Sequence, residues 1–116
     1  MQTDHPRDAA PLKRYAFILR LKPGAEAEYE KAHRAVWPEL LALLKSVGIS
    51  EYSIYRRDDL LILTHRAVDF EASWSQIADH PVNLRWQKEM ARLFEPMDAL
   101  RPGERFPMMD EVFYLP

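Results

Sequence analysis

The sequence contains no cysteine and only three glycines among its 116 residues. The missing thiols exclude disulfide bonds, thiolate nucleophiles and cysteine-ligated metals, which fits a reducing compartment such as the cytoplasm. The few glycines form no Gly-rich loop, so nothing indicates a phosphate or nucleotide site. None of the four histidines stands at a metal-ligand spacing such as HExxH, and we therefore expect no metal centre.

An excess of charge of one sign is also missing, and so are long apolar runs. The 16 Lys and Arg residues nearly balance the 18 Asp and Glu residues, giving a formal net charge of −2 and a pI of about 6.1. This balance provides no electrostatic footprint for nucleic acid or an anionic membrane. No run approaches the roughly 18 apolar residues of a membrane span, and the N-terminal stretch lacks the apolar core of a signal peptide. We expect a soluble, cytoplasmic protein that binds neither nucleic acid nor membrane.

The length predicts one domain with a single sizeable core. Residues 1–12 are polar and contain two prolines, which predicts a flexible N-terminal tail. Residues 13–116 then form the single domain. Hydrophobic residues make up 47% of the chain and charged residues 29%, a composition typical of globular rather than disordered proteins.

The order of the predicted elements is β-α-β-β-α-β. Strands have alternating apolar residues, whereas helices repeat them every three or four positions. The predicted strands are 14–21, 49–57, 60–67 and 111–116. The helical segments are 25–47 and 69–94, and the second is expected to break around residues 79–81 into two helices. This order predicts an α+β, ferredoxin-like split β-α-β sandwich whose antiparallel sheet has helices on one face. Because Tyr55 points away from Tyr52 and Ile54, large side chains occur on both faces of the sheet, and the uncovered face indicates a second copy of the chain.

One helix face contains a histidine in an otherwise buried pattern. In the stretch YEKAHRAVWPEL, residues 29–40, Tyr29 lies one turn before His33 and Trp37 one turn after it. Spacing alone leaves two alternatives open for His33, a packed core residue or a functional group. Pro38 lacks the N–H that a continuous helix needs, so the helix should kink or restart near Trp37. The other histidines have plainer interpretations, since His65 is expected to pack or hydrogen-bond and His80 to start a helix.

Four segments together resemble the L-rhamnose mutarotase family. They are YEKAHRAVWPEL, the hairpin EYSIYRRDDLLIL, VNLRWQKEM and the closing EVFYLP, and their order and spacing all agree with that family. The resemblance extends from about residue 13 to residue 116. It implies an enzyme that interconverts the α and β anomers of L-rhamnopyranose without a cofactor, in the cytoplasm. It also implies a homodimer of ferredoxin-like subunits whose sheets pack face to face as a dimeric α/β barrel.

The resemblance further implies the roles of individual residues. His33 matches the family's proton donor, and Tyr29, Tyr52 and Trp86 match its sugar-contacting residues. The family pattern has a second tryptophan directly after the one that matches Trp86, where this chain has Gln87. An amide hydrogen-bonds a hydroxyl but does not stack broadly on a sugar ring, so the expected substrate is L-rhamnose or a related 6-deoxy sugar. A water molecule or a carboxylate would suit as the acceptor of the anomeric proton.

Two other functions fit the same predicted fold, because unrelated activities share it. In a haem-degrading or quinone-oxidising monooxygenase, His33 would be an axial ligand. In a non-catalytic sugar-binding or structural dimer, His33 would be a packed core residue.

Overall fold

A computed structural model describes residues 11–116, so the predicted tail over 1–12 lies almost entirely outside the described residues. The element order confirms the predicted β-α-β-β-α-β arrangement, with each helical segment divided in two. The elements are β1 (Lys13–Arg20), α1 (Glu26–His33), α2 (Pro38–Ser46), β2 (Ser50–Arg57), β3 (Leu60–Ala67), α3 (Phe70–Ile77), α4 (Pro81–Ala91) and β4 (Met108–Met109).

The four strands form one antiparallel sheet in the order β2-β3-β1-β4. The two central strands, β1 and β3, are paired over their whole length, from Lys13 opposite Ala67 to Arg20 opposite Leu60. The β2–β3 hairpin turns tightly at residues 58 and 59, where Asp58 has a φ of 52°. Asp tolerates this left-handed conformation better than most residues because its short side chain bonds locally. The prediction of an antiparallel hairpin here is confirmed.

Pro38 restarts the first helical segment as predicted. Helix α1 ends at His33, and Pro38 is the first residue of α2, with Trp37 as its N-cap in an extended conformation (φ −58°, ψ 130°). A proline is well suited to the first helical position because the missing N–H has no helical partner there. The break places His33 at the C-terminal end of a helix rather than in the middle of one.

The helices cover one face of the sheet, and no helix in residues 11–116 covers the other face. Along β3 the residues alternate between buried and half-buried, and the buried Leu61, Leu63 and His65 face the helices. Tyr55 of β2 is directed to the opposite face and is 63% exposed. No helix in the described part of the chain is long and apolar enough to span a membrane.

The predicted strand over 111–116 is wrong. The fourth strand is Met108–Met109, which pairs with Ala16 and Phe17 of β1. Continuing this register would place Glu111 opposite Arg14, and these two side chains form an ion pair at 2.7 Å. Among the described residues β1 begins at Lys13, so its register with β4 would extend only to residue 112. The final residues therefore form no ladder, and Val112, Phe113 and Leu115 are 93%, 77% and 78% exposed.

Candidate active site

A cavity of about 370 Å³ lies between the helices and the sheet near His33. Its volume falls within the range typical of small-molecule sites. One wall is aliphatic and comes from the turn before α2 and from α2 itself, while the remaining lining, apart from Ile54, is aromatic and polar. The aliphatic residues are Val36, Leu40, Leu41 and Leu44, and the others are His33, Tyr52, Ile54, Trp74, Asn83, Trp86 and Gln87.

His33 lies half-buried at this cavity, with one ring nitrogen already committed. Its Nδ1 is 2.9 Å from the backbone carbonyl of Tyr29. Because a carbonyl oxygen only accepts, Nδ1 carries a hydrogen and donates it. The other nitrogen, Nε2, is then the one that can exchange a proton with a ligand.

Opposing effects set the pKa of His33. Burial lowers it from the ordinary value of 6.5, and the hydrogen bond to the Tyr29 carbonyl partly offsets that effect. The position at the C-terminal end of α1 also favours a positive charge. Burial is the larger effect, so the net pKa is below that of a free imidazole.

Tyr29 stacks on His33 from the preceding turn of α1. The ring centroids are 4.1 Å apart with planes inclined by 29°. Tyr29 is 4% exposed and does not line the larger cavity. It lines an adjoining space of about 60 Å³ that His33, Tyr52, Trp86 and Gln87 also reach. Burial raises the pKa of Tyr29, so its phenol stays protonated at neutral pH.

Tyr52 reaches both spaces from strand β2. Burial, with a smaller contribution from Tyr29, raises the pKa of Tyr52 as well. Both phenols are therefore neutral hydrogen-bonding groups rather than phenolate bases.

Trp86 and Gln87 line the cavity from helix α4. Trp86 is buried and meets His33 edge-on, with ring centroids 5.3 Å apart and planes inclined by 79°. Gln87 is exposed at the rim, and its Nε2 donates to Oδ1 of Asn83 at 3.4 Å. Trp37 packs against the indole of Trp86 at 5.2 Å and is not part of the cavity wall. The five residues assigned from the sequence thus meet at one place in the fold.

The sequence pattern of the L-rhamnose mutarotase family matches residues 14–115. The chain belongs to the L-rhamnose mutarotase family. It is 37% identical to an L-rhamnose mutarotase from Jannaschia over 90% of this chain and all of that protein. It is 36% identical to one from Escherichia coli over 89% of this chain and 98% of that protein.

Solved structures agree with this family membership. The crystal structure of an L-rhamnose mutarotase from Formosa agariphila matches with a TM-score of 0.71 at 28% identity, covering 90% of this chain and 99% of that one. A type-II polyketide cyclase from Streptomyces glaucescens matches with a TM-score of 0.61 at 20% identity, over 89% and 95% of the two chains. This second likeness shows the fold alone. The family membership favours a mutarotase over the monooxygenase and the non-catalytic dimer.

Two further aromatic or polar residues line the cavity, Trp74 and Asn83, and neither is predicted from the sequence. Trp74 belongs to α3, a segment in which no residue stood out. Asn83 lies four residues before Gln87 on α4, and this one-turn spacing was the available signal. The predictions for His65 and His80 are confirmed, since His65 is packed and bonded to Trp74 and His80 caps α4 by accepting from the N–H of Val82. Within residues 11–116, no three acidic or histidine side chains are placed to hold a metal ion.

Proposed function

We propose that this chain interconverts the α and β anomers of L-rhamnopyranose by acid–base ring opening and closure, with His33 donating a proton to the ring oxygen. The observation that carries the proposal is the position and hydrogen bonding of the His33 ring. Its ring is at a sugar-sized cavity, and its Nδ1 is bound to the Tyr29 carbonyl, which leaves Nε2 to exchange the proton.

The chemistry requires only proton transfers. Protonation of O5 by His33 weakens the C1–O5 bond while the anomeric hydroxyl loses its proton to an acceptor. The bond opens, the aldehyde turns about C1–C2, and the ring closes from the other face, with the O5 proton returning to His33 and the acceptor giving its proton back to the anomeric oxygen. One positioned acid–base group contributes about 10²- to 10⁴-fold. No covalent intermediate or cofactor is needed for these steps.

The other assigned residues bind the sugar in this proposal. The neutral phenols of Tyr29 and Tyr52 hydrogen-bond hydroxyl groups. Trp86 offers its indole to the apolar face of the ring and to the C6 methyl group, and Gln87 presents an amide at the rim. An apolar wall with a few polar groups is the usual composition of such sites.

Exchange between the two anomeric H1 signals of L-rhamnose tests the activity directly. We expect NMR exchange spectroscopy at neutral pH to show faster exchange with the protein than without it. No acceleration would reject the mutarotase function for this chain. A haemin titration without a shift of the Soret band is expected as well.

Introducing a tryptophan at Gln87 is expected to change the sugar preference. A second indole at the rim adds a stacking surface, so Gln87→Trp should lower KM for L-rhamnose by up to about tenfold. The ratio of kcat/KM between L-rhamnose and L-fucose, from the anomer-exchange assay, measures the effect. Lys88→Trp is the matched control, because Lys88 is exposed next in the chain and does not line the cavity. Equal ratios in all three proteins would contradict a role for position 87.

We also propose that two chains form a ferredoxin-like homodimer, a dimeric α/β barrel with the open sheet faces packed together. The exposed Tyr55 on the open face and the exposed apolar residues after Glu111 support this. A location in the cytoplasm and a reaction without a cofactor, both implied by the family resemblance, belong to the same proposal.

Placing a charge on the open sheet face should dissociate the dimer. We expect Tyr55→Arg to shift the molecular mass from dimer to monomer in sedimentation velocity, because a buried unpaired charge is costly. Leu84→Arg is the control, since Leu84 is 51% exposed on helix α4 instead of the sheet. A monomeric unchanged protein, or an equal shift for both variants, would exclude this interface.

A further inference from the structure

Trp74 lines the cavity from α3, the helix before the one that carries Trp86. It belongs to α3, is 5% exposed, and reaches both the 370 Å³ cavity and the adjoining 60 Å³ space. Its indole N–H is not free for a ligand, because Nε1 donates to Nε2 of His65 at 3.4 Å. Trp74 therefore offers a ligand only the apolar part of its ring, which suits the C–H groups of a sugar.

His65 is buried among aromatic rings and bonded through one nitrogen. It is 2% exposed, and its ring lies 5.2 to 6.2 Å from those of Tyr15, Phe17, Tyr52, Phe70 and Trp74. The indole N–H only donates, so Nε2 of His65 must accept, and the hydrogen of the neutral ring is on Nδ1. Burial lowers the pKa of His65 to about 4, so the ring keeps this acceptor at neutral pH.

The other ring nitrogen of His65 lowers the stability of the fold. Nδ1 is buried without a hydrogen-bond partner among the described residues. Leaving a buried donor unpaired destabilises a fold, and an apolar side chain at this position would avoid that penalty. What the histidine provides in exchange is the acceptor for Trp74, which fixes the rotation of the indole.

We propose that Trp74 is a second aromatic wall of the sugar site and that His65 is the positioning residue that holds its ring against the cavity. The inference rests on the proposed mutarotase function for the identity of the ligand. It adds a binding residue, Trp74, and assigns a purpose to a buried histidine that takes no part in proton transfer.

Three single variants and one double variant test the proposal through KM and kcat for anomer exchange. His65→Leu removes the acceptor, whereas His65→Gln can place an amide oxygen near the position of Nε2. Trp74→Phe removes both the N–H and part of the ring surface. We expect His65→Leu and Trp74→Phe each to raise KM by about tenfold with kcat nearly unchanged, and His65→Gln to restore most of the affinity. The double variant His65→Leu/Trp74→Phe should be no worse than Trp74→Phe alone.

A spectroscopic measurement separates this inference from the proposed function. In a ¹H–¹⁵N spectrum, the Trp74 indole N–H signal should move in His65→Leu and should also move when L-rhamnose is added to the unchanged protein. If the unchanged protein does not accelerate exchange, the proposed mutarotase function is rejected. A shift of this signal on sugar addition would still support Trp74 as a wall of a sugar-binding site. An unshifted indole signal on sugar addition, or an unchanged KM in Trp74→Phe, would overturn the inference.

Discussion

Replacing His33 with asparagine should reduce catalysed anomer exchange by about 10²- to 10⁴-fold, the usual contribution of a positioned acid–base group. Asparagine has an amide nitrogen close to where Nδ1 stands, so it can keep the hydrogen bond to the Tyr29 carbonyl that His33 makes at 2.9 Å. It has no group that titrates near neutral pH. The variant therefore removes the proton at Nε2 and leaves the local helix geometry largely intact.

The matched control for His33→Asn is His80→Asn. His80 is an exposed histidine that caps α4, and asparagine is itself a favourable N-cap residue. We expect His80→Asn to keep the full exchange rate, and both variants to keep native circular dichroism. A His33→Asn variant with the full rate and a native fold would return His33 to the alternative of a packed core residue.

Most of the fold could be predicted from local signals. Pro38 and the Asp58–Asp59 turn each determine the backbone within a few residues, and the structure places a helix start and a hairpin there. The strand over residues 60–67 can similarly be predicted from its own sequence, because every second residue is buried. A helix start, a tight turn and a strand each depend mainly on the residues within a few positions in the sequence.

The final segment shows the limit of this approach. Residues 111–116 have the alternating apolar pattern of a strand, but a strand also requires a neighbouring backbone to bond with. Among the described residues, β1 begins at Lys13 and could pair with this segment only as far as residue 112. The alternating pattern predicts a strand, but it does not show whether a neighbouring backbone is there to pair with it.

The candidate site was predictable only in part for a related reason. The family resemblance of the surrounding helix singles out His33, whereas its spacing alone favours a packed core residue. Trp74 and Asn83 are contributed by α3 and α4, and a single sequence does not show which of its buried side chains face a common cavity. The hydrogen bond between Trp74 and His65, from α3 to β3, is likewise a product of packing.

The pH dependence of exchange should identify the working form of His33. Burial places the pKa of His33 below the ordinary value of 6.5, so the imidazole is mostly neutral at neutral pH. If the protonated ring is the group that starts ring opening, kcat/KM should fall by about tenfold per pH unit above that pKa. It should level off below the pKa, where the ring is already protonated.

The lowered pKa has two opposing consequences for an acid that must also act as a base. It reduces the protonated fraction at neutral pH, but it makes the protonated ring a stronger acid toward the weakly basic O5. A cycle that opens and recloses the ring uses both forms of His33, the first to give the proton and the second to take it back. Burial favours the neutral form that takes the proton back, and the hydrogen bond to the Tyr29 carbonyl favours the protonated form that gives it, so these opposing effects set the balance between the two forms.

Measuring kcat/KM between about pH 5 and pH 8.5 shows whether it falls or rises with pH, once the uncatalysed exchange at each pH has been subtracted. His33→Asn should give a nearly flat profile over the same range, which separates His33 from the other titrating groups. The tyrosines do not titrate in this range, because burial raises the pKa of both Tyr29 and Tyr52. A kcat/KM that increases with pH in the unchanged enzyme would show instead that the neutral ring starts the reaction, with Nε2 taking the anomeric proton. The direction of this slope therefore decides which of the two sugar oxygens, O5 or the anomeric oxygen, His33 serves first.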